Sequence, residues 1–279
     1  MPELPEVETI VRDIRPALVG RRIGRVSLSH DDILRGVSRR RLLRQLGGAT
    51  VDSVLRRAKH AVLVMGERRL VVQPGMTGSL RVHDRPLTDE EARYAVLRAP
   101  LDDGRELVYR DVRRIGKLLL LDEPGWRRYT GAIGPEPLDP DFTPERLGET
   151  LSRSRQATKK VLMDQRHLAG VGNIYANEAL FAAGIDPSKA ARRLTPDDHR
   201  RLHRELRRIL EAAIESNGTT FRDYRTGTGE SGAFQLELQV YGREGEPCRR
   251  CGTAIRREQF MNRSSFSCPR CQPRPRVRL

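Results

Sequence analysis

Val7, Ile10, Val11 and Ile14 are spaced like the apolar stripe of one helix face, and they predict a first helix running from Pro5 towards Gly20. The pattern then shifts to short alternating or apolar runs. Ile23 to Ser29, Val51 to Leu55, Ala61 to Met65, Leu70 to Val72, Leu80 to Val82, Tyr94 to Leu97, Glu106 to Tyr109 and Lys117 to Leu121 read as strands, several of them parted by Gly, Asp or Pro. One helix followed by many short strands predicts an antiparallel sandwich or a barrel-like domain.

Gly134-Pro-Glu-Pro137 and the Pro140 to Pro144 stretch form a stiff polar connection, read as an interdomain hinge. Beyond it the period is helical. Pro144 to Leu151, Gln156 to Asp164, Asn173 to Ala183 and Pro196 to Ser216 are predicted helices, the last with Leu202, Leu206, Ile209, Leu210, Ala213 and Ile214 on a buried stripe. Between the second and third lies Gly170-Val-Gly-Asn173, a turn whose glycines admit a close backbone approach and whose helix start favours an anion. A plain helix–helix turn is the alternative. A second glycine-rich loop, Gly227-Thr-Gly-Glu-Ser-Gly232, reads as a lid or an ordinary flexible connection. The Pro/Arg tail after Cys271 is expected to be disordered.

The 279 residues carry 52 basic and 37 acidic side chains, a net charge of +15. Such a surface attracts polyanions. No apolar run approaches the ~20 residues of a spanning helix, which leaves nucleic acid rather than membrane as the expected partner. The lysines are five, Lys59, Lys117, Lys159, Lys160 and Lys189, so the charge is mostly arginine. Runs such as Arg39 to Arg41 and Arg200-Arg201 read as solvated faces, whereas a proton-exchanging amine has to be lysine.

All four cysteines fall in Cys248-Arg-Arg-Cys251 and Cys268-Pro-Arg-Cys271, two C-x2-C knuckles with zinc-site spacing. Four thiolates close a tetrahedral structural site; two disulfides of a secreted domain are the alternative. Ile255, Phe260 and Phe266, with Arg256, Arg257 and Arg263 among them, read as a β-hairpin finger with a basic edge. At the other end, removal of Met1 leaves Pro2 as a secondary amine, and an α-amino group titrates near ~8. With the carboxylates of Glu3 and Glu6 close by at the positive end of the first helix, this is equipment for Schiff-base chemistry if the chain end is held in a cleft.

Met1-Pro-Glu-Leu-Pro-Glu-Val-Glu-Thr9, Arg56-Arg-Ala-Lys59, Gly75-Met-Thr-Gly78, Asp111-Val-Arg-Arg114, Gly134-Pro-Glu-Pro-Leu138, Gly170-Val-Gly-Asn-Ile-Tyr-Ala176, Gln239-Val-Tyr-Gly-Arg243 and the four-cysteine finger occur in this order. Together they resemble the bacterial formamidopyrimidine-DNA glycosylase family over nearly the whole chain. The resemblance implies an α+β multidomain fold: an N-terminal helix plus antiparallel β-sandwich (1–133), a hinge (134–150), a helix-two-turns-helix domain (151–235), a β-hairpin zinc finger (236–273) and a disordered tail (274–279). It implies a base-excision repair enzyme acting on 8-oxoguanine and formamidopyrimidines in duplex DNA, monomeric, with one structural Zn2+ on Cys248, Cys251, Cys268 and Cys271, and located in the bacterial cytoplasm at the nucleoid. It also implies roles. Pro2 attacks C1′, Glu3 handles protons at the sugar, Lys59 sits near the lesion and its phosphate, and Glu6 holds the damaged base. Arg114, Lys159, Asn173 and Arg263 match phosphate-binding positions, while Met76 and Arg113 match two of three side chains that fill the gap left by the extruded base.

The third gap-filling position is usually Phe and here is Ile115; Gln73-Pro74 stands where the family often has His-Leu. An aliphatic wedge stacks poorly, so a different lesion search or opposite-base preference is expected. Two other readings stay open: an endonuclease VIII-like glycosylase for oxidised pyrimidines, disfavoured by Leu4 and Arg113, and a non-catalytic zinc-finger DNA-binding protein, disfavoured by the presence of Pro2, Glu3 and Lys59.

Overall fold

The computed structural model describes residues 2–219, 233–260 and 262–274. Two compact units emerge, one of Met1–Ala132 with Ser216–Gln235, the other of Ile133–Glu215 with Leu236–Leu279.

In the first unit, helix α1 (Leu4–Leu18) is followed by β1 (Ser27–Leu28), α2 (Arg39–Leu46), β2 (Ser53–Arg57), β3 (His60–Met65), β4 (Arg68–Gln73), β5 (Gly78–His83), α3 (Asp89–Arg93), β6 (Ala95–Pro100), β7 (Glu106–Asp111), β8 (Lys117–Leu121) and α4 (Glu123–Gly131). The strands form two four-stranded sheets, β1-β6-β7-β5 and β2-β3-β4-β8, with antiparallel neighbours throughout. A sandwich rather than a closed barrel results. Leu63, Leu70, Val72 and Leu118 of one sheet share a core with Leu80, Leu97, Leu107 and Tyr109 of the other.

Helix α1 packs on β2 and β3 of one sheet and on β5 of the other, which is why its buried residues extend beyond a single stripe to Pro5, Glu6 and Thr9. The expected strand at Ile23 to Ser29 is shorter than predicted. Only Ser27–Leu28 forms a strand, because Gly24 donates its N–H to Pro100 O and Arg22 and Ile23 pair singly with Thr50 and Leu101. Three short helices, α2 to α4, were not anticipated. The Arg39 to Arg41 run forms the polar side of α2, whose Leu42 and Leu46, one turn apart, are buried.

The second unit contains α5 (Pro144–Ser152), α6 (Thr158–Met163), α7 (Asn173–Ala182) and α8 (Pro196–Glu215), then the hairpin β9 (Arg256–Phe260) and β10 (Arg263–Ser267). The predicted stripe of α8 is buried as expected, from Leu202 to Ile214. Helix α7 is buried on nearly every side because α6, α8 and β10 all pack against it. Two turns separate α6 from α7, and the Gln165 side chain staples them: its Oε1 accepts from Gly170 N at 2.8 Å and its Nε2 donates to Val171 O at 2.8 Å. Arg200 pairs with exposed Asp197 on its own helix, a solvated face as expected, whereas Arg201 is half-buried and reaches buried Asp198 and Ala183 O.

The tail departs from expectation at its start. Gln272 is buried, donating to Ile185 O at 2.8 Å and accepting from Cys268 N at 3.0 Å; an amide fully occupied in this way is part of the finger's packing. The Gly227 to Gly232 loop and residues 275–279 lie outside the described residues.

Candidate active site and nucleic-acid interface

Pro5 falls in the first turn of α1, where its missing N–H removes no helical bond, and Glu3 is the residue that caps it. Pro2 and Glu3 are both buried, so the start of the helix is enclosed by protein. Glu6, 2% exposed, organises this end. Its Oε2 accepts from the Glu3 backbone N–H at 2.8 Å, and its Oε1 accepts from the N–H and the hydroxyl of Thr219, both at 2.9 Å. The carboxylate thereby ties the residue after Pro2 to the segment beyond α8, a link that no local pattern announces.

Lys59 lies in the tight turn between β2 and β3, next to Ala58, whose φ of 52° puts it in the left-handed region. Lys59 itself is buried. Arg56 at the end of β2 holds this turn to α1: its Nε donates to Glu8 Oε2 at 3.0 Å and its Nη1 to Ala58 O at 3.0 Å. On the following residue, His60 Nδ1 lies 3.1 Å from the Tyr129 hydroxyl of α4, whose phenol is pushed up to about 12 by burial. Helix and turn are thus fastened at several points, and Pro2, Glu3 and Lys59 stand at the fastened ends.

Met76 and Ile115 stand on adjoining loops, where Gly75 meets the Ile115–Gly116 backbone. Among the described residues, six large hydrophobic side chains are exposed, and Met76, Val112 and Ile115 supply three of them. Solvent-exposed apolar side chains clustered on loops mark a contact surface. Arg113 joins them, its Nη1 3.8 Å from Met76 Sδ. Arg114, expected on phosphate, is exposed and pairs with Asp32 at 2.9 Å. Val112 was missed by sequence reading, although it lies inside the quoted Asp111-Val-Arg-Arg114 motif.

In the second unit, Asn173 opens α7 behind Gly172, and the first N–H groups of a helix have no intrahelical partner. Asn173 and Arg263 line one groove of about 490 Å³ with Asn262, Arg257 and Glu244, the last two paired at 3.3 Å, a polar recess beside a helix start. Lys159, expected on phosphate, sits in a different setting. Its ammonium is buried and donates to Ser264 O at 2.8 Å and to Ser265 Oγ at 2.6 Å, binding α6 to β10. Glu178, also unflagged by sequence, accepts from the N–H groups of Gln239, Val240 and Tyr241 at 2.8 to 3.0 Å, which anchors the approach to the finger.

No pair of the four cysteines is joined by a disulfide. Their sulfurs lie within 4.8 Å of one another, with Cys251–Cys268 and Cys251–Cys271 at 3.5 Å and Cys248–Cys271 at 3.9 Å. Thiolates ~2.3 Å from a tetrahedral zinc stand roughly 3.8 Å apart, so the cluster fits one structural Zn2+. Phe181, Val240, Ile255 and Phe266 pack around it.

Residues 1–118 match the model of the formamidopyrimidine-DNA glycosylase N-terminal domain, 133–225 that of the H2TH domain of the same enzyme, and 245–274 a zinc finger found in FPG and IleRS. Formamidopyrimidine-DNA glycosylase of Thermomicrobium roseum is 45% identical over 98% of this chain and 99% of its own length. That of Stutzerimonas stutzeri is 45% identical over 98% of this chain and 100% of its own. Among solved structures, MutM (Fpg) of Thermus thermophilus superimposes with a TM-score of 0.86 at 37% identity, covering 99% of this chain and 100% of that one. The Lactococcus lactis Fpg bound to DNA containing an abasic site gives 0.89 at 33% identity, covering 98% and 100%. At these identities over whole lengths, fold and sequence agree: the chain belongs to the formamidopyrimidine-DNA glycosylase family.

Proposed function

We propose that this chain excises oxidised purines, 8-oxoguanine and formamidopyrimidines, from duplex DNA and then cuts the strand at the abasic site. Relatives of the same fold are complexes with abasic-site DNA and with N7-benzyl-Fapy-dG DNA, and the +15 charge suits a polyanionic partner. The observation that carries the reading is the buried start of α1, where Glu6 holds the residue next to Pro2.

With Met1 removed, the Pro2 nitrogen attacks C1′ of the extruded nucleotide and the bond from C1′ to the base nitrogen breaks, the base leaving with a proton; the C1′–O4′ bond then opens, O4′ takes up a proton to become the C4′ hydroxyl, and C1′ is left doubly bonded to the Pro2 nitrogen. The iminium so formed acidifies the C2′ hydrogen. Loss of that proton expels the 3′ phosphate, a second elimination expels the 5′ phosphate, and water returns Pro2 as a free amine. Glu3 serves these proton transfers, and Lys59 supplies positive charge at the lesion and its phosphate. Glu6 holds the base, and Met76, Arg113 and Ile115 occupy the vacated space. Arg114, Lys159, Asn173 and Arg263 carry the backbone contacts, Lys159 through the hairpin that it fixes. The four cysteines hold Zn2+, which supplies folding energy to the finger and no step of the reaction. The protein works as a monomer in the bacterial cytoplasm, at the nucleoid. Among the described residues no helix is long and apolar enough to cross a membrane.

Borohydride trapping on a duplex with one 8-oxoguanine opposite cytosine tests the reading. A covalent complex with the wild type and little or none with Pro2→Gly is expected. Binding without trapping on this lesion, on an abasic site or on an oxidised pyrimidine would overturn it in favour of a non-catalytic DNA-binding protein.

A further inference from the structure

Met76 stands on the loop before β5, and Arg113 and Ile115 on the loop between β7 and β8. Loops with exposed apolar tips and few buried contacts ordinarily move independently. Here they are joined beneath the surface. Asp111 ends β7 opposite Gly78 in the sheet and is 1% exposed. Its Oδ1 accepts from the Thr77 hydroxyl at 2.5 Å, and its Oδ2 accepts from Gly116 N–H at 2.8 Å. Thr77 Oγ1 accepts in turn from Arg113 N–H at 3.1 Å, so one carboxylate reaches both loops through both oxygens. The Tyr109 hydroxyl lies 3.1 Å from Asp111 Oδ2 and 3.3 Å from Pro74 O. The loops also touch through their backbones: a Cβ on Gly75 would come within 2.8 Å of Gly116 N, and one on Gly116 would land on the Tyr109 hydroxyl.

We propose that Asp111 is a positioning residue that locks loops 74–77 and 112–116 into a single wedge, so that Met76, Arg113 and Ile115 enter the base stack as a unit. The proposal rests on the gap-filling roles given above. Ordering flexible groups on binding costs free energy, and groups already ordered escape that cost. The brace therefore assists extrusion of an intact base. It matters less at an abasic site, where no base has to be extruded.

The test compares, under single-turnover conditions, release of 8-oxoguanine with strand cleavage at a pre-formed abasic site. Asp111→Ala should lower the ratio of the first rate to the second by about tenfold, Thr77→Val should lower it in the same direction, and Thr77→Ser, which keeps the hydroxyl, should restore it. If Asp111→Ala does not fold, the two Thr77 variants decide. A ratio unchanged in folded Asp111→Ala and Thr77→Val, or two rates that fall in parallel, overturns the brace. Amide hydrogen exchange without DNA reads the coupling separately from the enzyme reading. Thr77→Val should speed exchange across 112–116 by about tenfold, and unchanged exchange there overturns the brace even if the wild type proves active. A wild type that releases no base while Thr77→Val still speeds that exchange overturns the glycosylase reading and leaves the brace supported.

Discussion

Glu6 and Thr219 stand 213 residues apart and meet at one carboxylate oxygen, which accepts both the backbone N–H and the hydroxyl of Thr219 at 2.9 Å. The other oxygen holds Glu3 N–H at 2.8 Å. Thr219→Val removes one of these three donors from a buried carboxylate, and a hydrogen bond to a charged group contributes ~1.5–3 kcal/mol. The expected result is a loss of stability of about that size in urea unfolding, with slower imine trapping. A variant as stable and as fast as the wild type would show that this hydroxyl is idle.

Arg56 joins α1 to the turn that carries Lys59, through Glu8 and Ala58 O. Among the described residues, Arg56→Ala leaves Glu8 with Arg12 as its ion-pair partner and removes one tie between α1 and the turn. Imine trapping should slow by about tenfold, the equivalent of roughly 1.4 kcal/mol in the barrier. Arg56→Lys should not rescue it, because a lysine ammonium cannot reproduce the forked geometry that spans both acceptors. Rescue by lysine would reduce the tie to a matter of charge.

Zinc content should be one ion per chain, measured by release to a chromogenic chelator. Thiols must lose their protons to bind metal, so acid displaces it. Chelation should abolish DNA binding and expose the Phe181, Ile255 and Phe266 cluster, detectable by dye binding. The sandwich, with its own core, should keep its β-sheet circular dichroism. Collapse of both signals together would contradict separate cores.

Glu91 accepts from Arg85 at 2.9 and 3.0 Å and from Thr88 N–H at 2.9 Å. The Arg85 guanidinium first, then the Thr88 N–H, pull its carboxyl from 4.5 down to about 2. Its folded pKa is therefore depressed, so its contribution is present above pH 4.5 and is lost as pH falls towards 2. Glu91→Gln should lower Tm at pH 7, with the gap to wild type closing between pH 4.5 and 2. A gap that persists at pH 2 would assign the effect to packing.

Ile115 is exposed beside Met76, where an aromatic ring would stack more strongly on bases than a branched aliphatic chain. Ile115→Phe should change the relative rates of 8-oxoguanine release opposite the four bases. Identical rate profiles would show that this departure has no bearing on partner-base preference.

Much of the architecture was written into local pattern. The spacing of Val7, Ile10, Val11 and Ile14 sufficed for α1, and Leu202 to Ile214 for the long helix α8, because a helix face is a periodic property of the chain itself. The cysteine knuckles were equally legible, since two close ligands on each side of a hairpin leave little freedom in where the sulfurs meet. The short helices α2 to α4 escaped because two buried residues in α2 and none in α3 or α4 give no period to read, and Ile23 to Ser29 shortened because pairing partners far along the chain, Thr50 and Leu101, set its bonds.

At the site the division is sharper. Residue types singled out Pro2, Glu3 and the four cysteines, since each of those roles demands a particular chemical group, and the resemblance to the glycosylase family added Lys59, Met76 and Arg113 as positions to watch. That Glu6 reaches Thr219, that Lys159 is occupied by the Ser264–Ser265 edge, and that Asp111 ties two loops together was decided only by the tertiary structure. Hydrogen bonds between distant segments depend on how sheets and helices stack, and no local period or charge count encodes that geometry.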